Sequence, residues 1–292
     1  MRVNKVVELL ASRQPAYFEF VDAETAGGYE GGRALAQTWA DYITYDMEHS
    51  AFDVRALTQF MRGLVDAGPT RSGHRTPAVI VTLPMDGIDA AAVRANSWMI
   101  KHALGAGVHG LLLCHAETPE AVRSFVEAAR YAFKPAVGFD LGAGRRGHAG
   151  QIRAAEIWGI PAADYFDRAD PWPLNPQGEL LLGIKVENTR ALSRVEQTTK
   201  VPGLAFAEWG PGDMGMSMGY PDQHDEPYPA QMQGARTAVM SACKNAGLAF
   251  LEQVTPQNVT RQLDAGVMMC AGPQGREAAE IGRKHSGRKM PW

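Results

Sequence analysis

Residues 204–221 read LAFAEWGPGDMGMSMGYP. An apolar run from Leu204 to Glu208 ends in a Gly/Pro-rich loop that holds one carboxylate, Asp213. A buried strand handing an acid to a loop is how many barrel enzymes build their sites, because functional groups gather where parallel strands end. The fold therefore turns on whether this unit repeats. Short β-type runs recur at Ala16 to Phe20, Tyr42 to Asp46, Ala78 to Thr82, Gly110 to Cys114, Leu181 to Glu187, Leu204 to Glu208, Leu248 to Glu252 and Val267 to Cys270. Between them lie helical patterns, among them Asp53 to Ala67, Asp89 to Ala106, Thr118 to Ala132, Asn188 to Thr199 and Pro229 to Ala246, several opening on a capping residue. Near-continuous apolar strands separated by helices indicate a parallel sheet covered on its outer face. Eight repeats predict closure, so the expectation is a single (β/α)8 TIM barrel over residues 1–292.

The exception to the alternation is Lys134 to Glu179, rich in Gly, Pro, Arg and Asp, with one helical stretch from His148 to Trp158. It reads as an insertion between the fourth and fifth units, lying over one end of the barrel as a lid. Within it, Gly142, Gly144 and Gly147 spell GAGRRG, a literal dinucleotide fingerprint. That motif needs a following helix and then a second parallel strand carrying an acid. Here the helix runs into GIPAADYFDRADPWPLNPQ, read as unable to form one, so GAGRRG is taken as an Arg/Gly turn at the mouth of the site.

Composition sets limits on the partners. The chain has 292 residues, 45% hydrophobic and 21% charged, with a formal net charge of -3, which gives no general attraction to nucleic acid or anionic lipid. The only basic cluster, Arg283 to Lys289, reads as a solvated tail. No apolar run approaches the roughly 20 residues of a membrane span, and MRVNKVVELLASRQ reads as a short amphipathic helix without a cleavage pattern, so a cytoplasmic protein is expected. Cys114, Cys243 and Cys270 are scattered, lack CxxC spacing and read as small buried apolar residues.

Four strand ends carry chemistry: Asp46, Met47, Glu48 and His49 after the second; Cys114 and His115 after the fourth; Lys185, Val186, Glu187 and Asn188 at the fifth; Glu208 and then Asp213 after the sixth. Carboxylates from neighbouring strands, without thiolate or clustered-His spacing, favour a hard octahedral cation, Mg2+ or Mn2+, with Co2+ or Zn2+ as alternatives. Two protein ligands leave about four positions for water and a chelating substrate such as a 2-oxo acid. His49, three residues after Asp46, is a candidate general base whose tautomer the carboxylate fixes. The plainer readings are that Asp46 caps a helix, His49 bonds backbone and Glu187 pairs with Lys185.

The segments YDMEHSAFDVRAL (45–57), GAGVHGLLLCHAETPEAVRSFVEAARY (105–131), IKVENTRAL (184–192) and WGPGDMGMSMGYP (209–221) follow one another in a recognisable order. In that order and spacing the chain resembles the HpcH/HpaI aldolase family of citrate-lyase-type barrels, from about residue 40 to about residue 270. Weaker matches are Arg146-Gly147 and the Trp158-Gly159 pair. The resemblance implies a metal-dependent class II aldolase that makes or breaks a carbon–carbon bond next to a pyruvate-type enolate. It implies Glu187 and Asp213 as metal ligands, His49 with Asp46 as the catalytic base, and Glu48 as organiser of a bound water. It also implies that Gly210, Pro211 and Gly212 approach the substrate carboxylate. A 2-oxo acid, an aldehyde and a homo-oligomer, often a hexamer, come with the family, as does decarboxylation of oxaloacetate in related barrels. A non-catalytic barrel that binds a 2-oxo acid is the remaining alternative.

One position departs from the family. An arginine is expected at the end of the third strand, but AVIVTLP offers Thr82. A missing cation beside a developing oxyanion costs several kcal/mol. Lys185, two residues before Glu187 and facing the same way, and His115 are the candidate replacements. Alternatively, Lys185 only neutralises Glu187, or Arg145, Arg146 or Arg153 reaches back from the insertion. The aromatic residues of the insertion (Phe139, Trp158, Tyr165, Phe166, Trp172) read either as an entrance for a bulky aldehyde or as core and subunit contacts.

Overall fold

The computed structural model describes residues 2–134, 138, 140–272 and 274–291. Nine parallel strands run in chain order among these: β1 (Ala16–Asp22), β2 (Tyr42–Asp46), β3 (Ala78–Asp86), β4 (Gly110–Cys114), β5 (Pro171–Trp172), β6 (Leu180–Lys185), β7 (Phe206–Glu208), β8 (Ala249–Gln253) and β9 (Val267–Ala271). Eight of them close a barrel in the order β1-β2-β3-β4-β6-β7-β8-β9, with β9 pairing back to β1. This is the (β/α)8 fold. The two-residue β5 is extra and pairs along the start of β6. It lies in the stretch read from sequence as unable to form a strand; Pro171 and Trp172 are extended enough to add one short rung.

Two apolar layers account for the closure. Alternate strand residues such as Ala16, Tyr42, Ala78, Ile80, Leu112, Leu181, Phe206, Leu251 and Met269 fill the interior, and the others pack against the helices. Gly183 makes room for a large neighbour, since a Cβ there would lie 2.2 Å from the Phe206 ring. The helix Lys5–Ala11, capped by Asn4, places Val6, Val7 and Leu9 in this interior cluster and closes the end opposite the strand C-termini. Burial of each such side chain stabilises the fold by about 1.5–3 kcal/mol.

The basic C-terminus is not a solvated tail. Arg283 and Arg288 are buried beside Asp41, at 3.2 and 2.8 Å, and Lys5 reaches the same carboxylate at 2.9 Å. Burial would push the Asp41 carboxyl up, but Lys5, Arg288 and Arg283 outweigh it and hold the group below the usual range. The cluster ties both chain ends to the barrel floor. Charge spacing alone does not reveal this, because the single acid lies more than 240 residues before its arginines.

The described residues of the 134–179 segment do not lie over the barrel mouth. The segment's helices, Gln151–Trp158 and Ala162–Arg168, complete the outer layer between β4 and β6. Trp158 and Tyr165 are core residues: the indole N–H donates to the Gly107 carbonyl (2.9 Å), and the two rings pack 4.7 Å apart. Phe166 packs on Tyr131, and Trp172 packs on the interior cluster. Phe139 lies outside the described residues. The glycines of GAGRRG serve this packing too: the Gly142 N–H donates to Glu127, and a side chain at Gly144 would strike the Tyr131 carbonyl.

His109, just before β4, gives a measurable consequence. It is buried, accepts the Val79 N–H at Nδ1 (3.1 Å) and stacks on Trp158. Burial, helped by His74, pushes its pKa down to about 3. Below its usual value of 6.5 the unfolded chain takes a proton that the folded chain refuses until about 3, so stability falls as pH drops through that window. Between pH 7 and 5 this amounts to about 2 kcal/mol. Urea denaturation of His109→Gln, which keeps an acceptor for Val79, is expected to show a pH dependence flatter by that amount.

Candidate active site

The turn after β2 is organised by one side chain. Asp46 accepts the Glu48 N–H at Oδ1 (3.0 Å) and holds His49 Nδ1 at Oδ2 (2.9 Å). The second contact, first among its causes, raises the His49 pKa above the usual value. It also occupies Nδ1 and leaves Nε2 free on an exposed ring. Met47, between them, is fully buried and its N–H is tied to Thr82 O (3.1 Å), so the turn is anchored on β3. The D-x-E-H spacing thus presents two acids and an imidazole from one short turn.

Across the mouth, Lys185 at the end of β6 is nearly buried. Its Nζ lies 2.6 Å from Glu48 Oε2 and 2.9 Å from Glu187 Oε2. Burial disfavours the ammonium, but Glu208, Cys114, Glu187 and Glu48 together win, so the Lys185 pKa lies above its usual value and the group stays charged. Glu187 is wholly covered. The His115 N–H donates to its Oε1 (2.8 Å), while Oε2 carries no hydrogen-bond partner in good geometry. Burial raises its carboxyl, with Lys185 opposing. His115 has φ 45, a left-handed conformation rare outside glycine, and that turn is what aims its N–H at Glu187. Its ring Nδ1 lies 3.5 Å from Glu187 Oε1 and 3.3 Å from Asn188 Nδ2.

The segment after Glu208 is helical rather than a loop. Pro211–Met218 forms two turns with Gly210 at the N-cap and Pro211 at the first position, where its missing N–H costs nothing. Gly210 is required by contact: a Cβ there would lie 2.6 Å from Glu187 Oε2. The backbone thereby closes on the carboxylate, and Asp213 follows in the first turn, half-buried and without an ion pair among the described residues. Glu187 and Asp213 offer hard oxygen donors of the kind that suit a divalent cation, with Glu187 Oε2 facing the Lys185 ammonium at 2.9 Å.

A cavity of about 1010 Å³ opens at this end of the barrel. Asp46, Glu48, His49, Thr82, Lys185 and Glu208 all line it. Glu187 sits directly behind Lys185, whereas Asp213, Gly210, Pro211, Gly212 and His115 are off its wall. Arg145, Arg146 and Arg153 lie on another flank, so no arginine reaches back from the insertion. Two participants were under-read from sequence. Glu208, noted only as a strand end, faces Lys185, and burial pushes it up to about 7, with Lys185 opposing and Glu187, Glu48 and Asp46 adding to the rise. Cys114 brings its sulfur among Glu48 and Glu187 while donating to Leu83 O (3.3 Å). Strand alternation, which turns positions 114, 185 and 208 inward, was the available signal.

The barrel mouth thus gathers clustered carboxylates, one buried ammonium and an Asp–His pair. The HpcH/HpaI aldolase/citrate lyase family model matches residues 33–269, and the chain belongs to that family. It is a metal-dependent aldolase, and hence a lyase. A hydroxypyruvate/pyruvate aldolase of Paraburkholderia phytofirmans is 26% identical over 223 residues, covering 76% of this chain and 74% of that protein. An HpcH/HpaI family protein of Burkholderia cenocepacia superposes with a TM-score of 0.72 at 24% identity, over 96% of this chain and 97% of that one. The citrate lyase beta subunit of M. tuberculosis, complexed with oxaloacetate and magnesium, shares the fold at TM-score 0.53 and 12% identity, over 94% and 98%.

Proposed function

We propose that the protein cleaves or forms a 4-hydroxy-2-oxo acid, releasing or consuming a 2-oxo acid of the pyruvate or hydroxypyruvate type and an aldehyde. The supporting observation is the presence on one cavity wall of the Asp46–His49 couple and the Lys185 ammonium. Glu187 and Asp213 would hold a divalent cation, Mg2+ or Mn2+, which supplies Lewis-acid activation of the 2-oxo group. His49 Nε2, free because Nδ1 is engaged, accepts the proton of the 4-hydroxyl. The C3–C4 bond then breaks, C4 leaves as the aldehyde carbonyl, and the electron pair passes to the C2–C3 enolate. Lys185 faces the developing negative oxygen and takes the role of the arginine that the family has at the third strand end. His49, now protonated, returns the proton to C3. Backbone N–H groups at Gly212 and Asp213, at a helix N-terminus, suit the substrate carboxylate. Glu48 holds Lys185 and orders water at the rim.

This reading includes a cytoplasmic setting, supported by three buried free thiols, and a homo-oligomer, supported by the exposed Trp98 and Phe133. No helix among the described residues is long and apolar enough to cross a membrane. Metal analysis of the purified protein, together with a coupled assay for pyruvate or hydroxypyruvate release from a panel of 4-hydroxy-2-oxo acids, tests the reading. One bound divalent ion per chain and metal-dependent release are expected. Carbon dioxide release from oxaloacetate, with no aldehyde formed from any panel member, would replace it with decarboxylation.

A further inference from the structure

A second cavity, of about 790 Å³, lies on the outer flank of the barrel, between the helices Val54–Ala67 and Ala90–Gly105 and the 145–156 segment. It shares no lining residue with the mouth. Arg62, Lys101, Arg145, Arg146, His148 and Arg153 line it, and Glu156 is the only acid on its wall among the described residues. A chain with a formal net charge of -3 does not gather so many basic side chains in one concavity by general composition.

Arg145 pairs with Glu127 (3.3 Å), but three features show that the other charges are not used up internally. Arg62, Lys101 and Arg153 are exposed and make no ion pair or side-chain hydrogen bond among the described residues. Arg146 is 5% exposed and stacks on Tyr131; its Nη2 donates to the Tyr165 hydroxyl (3.1 Å), and its Nη1 is buried without a hydrogen-bond partner. The eight-residue helix Gln151–Trp158 begins here with Gly150 at its N-cap, and no side chain caps its first N–H groups. The backbone leading into it is open, since a Cβ at Gly147 or Gly150 would meet nothing within 4 Å. Ala149, at φ 81, takes the left-handed turn that brings the chain into the helix.

Free guanidinium and ammonium groups around an uncapped helix N-terminus match a tetrahedral dianion, which accepts hydrogen bonds from several directions at once. We propose that this flank cavity is a binding site for the phosphate group of a small molecule, separate from the catalytic mouth. Arg145, Arg146 and Gly147 of the Gly-rich run contribute to it as a wall rather than as a dinucleotide cradle.

Isothermal titration of the full chain with inorganic phosphate, with Mg2+ present and ionic strength held constant with sodium chloride, tests the site. One saturable site per chain is expected. The Arg62→Ala/Arg153→Ala variant, altered only at exposed positions and checked by circular dichroism, should bind at least about tenfold more weakly. Asp213→Asn, altered at the mouth, should bind as the parent does. A parallel titration with glycerol 3-phosphate separates the sources: tighter binding than phosphate identifies an organic phosphate, and weaker binding identifies the free ion. Absence of saturable binding overturns the proposal, and so does weakening by Asp213→Asn with none in the double variant.

Discussion

Glu187→Gln is expected to lower turnover by about a thousandfold and to weaken divalent-metal binding by at least about a hundredfold, with the barrel still folded. In the proposed metal site, removing one charged ligand would remove much of the Lewis-acid stabilisation of the transition state, a term of several kcal/mol, and each 1.4 kcal/mol is tenfold in rate. Local geometry adds to the effect. Both Glu187 oxygens face donors, the His115 N–H at 2.8 Å and the Lys185 ammonium at 2.9 Å. A glutamine must turn its NH2 toward one of them, which places donor against donor in a site closed to water. Turnover and calorimetric metal affinity equal to the parent would remove Glu187 from the metal site and the lyase mechanism with it.

Lys185→Met should reduce kcat by about a hundredfold to a thousandfold with a much smaller change in KM, the signature of a group that acts on charge appearing in the transition state. Metal affinity in the same variant should rise, because an ammonium 2.9 Å from Glu187 competes with a divalent ion for that carboxylate. The combination matters: a lysine that only neutralised Glu187 would change metal affinity and leave kcat near the parent value. His115→Ala provides the comparison. Its ring lies off the cavity wall while Lys185 lies on it, so the histidine variant should lose less, its backbone N–H to Glu187 being retained. Unchanged turnover in both variants would end the idea that either replaces the family's arginine. The lysine variant leaves Glu48, Glu187 and Glu208 without their shared cation, so thermal unfolding should be measured beside the kinetics.

The barrel was legible because its determinants are local. Each strand is a short apolar run with period-two facing, and several helices open on a capping residue, Asp53, Asp89, Thr118 or Asn188, all of which accept an N–H from the first turn. Asp46 and His49 could be paired from their spacing, because a three-residue separation within one turn allows a direct contact. Insertion and tail were read less well for the same reason in reverse. Gly, Pro and Arg in residues 134–179 look like surface chain, yet Trp158, Tyr165 and Arg146 pack into the body of the protein. Arg283 and Arg288 look solvated until Asp41 and Lys5 are brought to them.

By itself, the sequence determined the eight-fold strand repeat, the family, and the set of acids and imidazoles placed at strand ends, since these depend on residue type and on separations along the chain. Only the tertiary structure decided that Lys185 joins Glu48 from β2 to Glu187 after β6, that Gly210 must be glycine because Glu187 lies against it, and that the Asp213 segment is a helix start rather than a loop. It likewise moved the Arg/Gly turn from the mouth to a separate basic cavity on the flank. The physical reason is the same throughout: ion pairs, steric contacts and desolvation depend on distance through space, and barrel closure sets those distances between residues far apart in the chain.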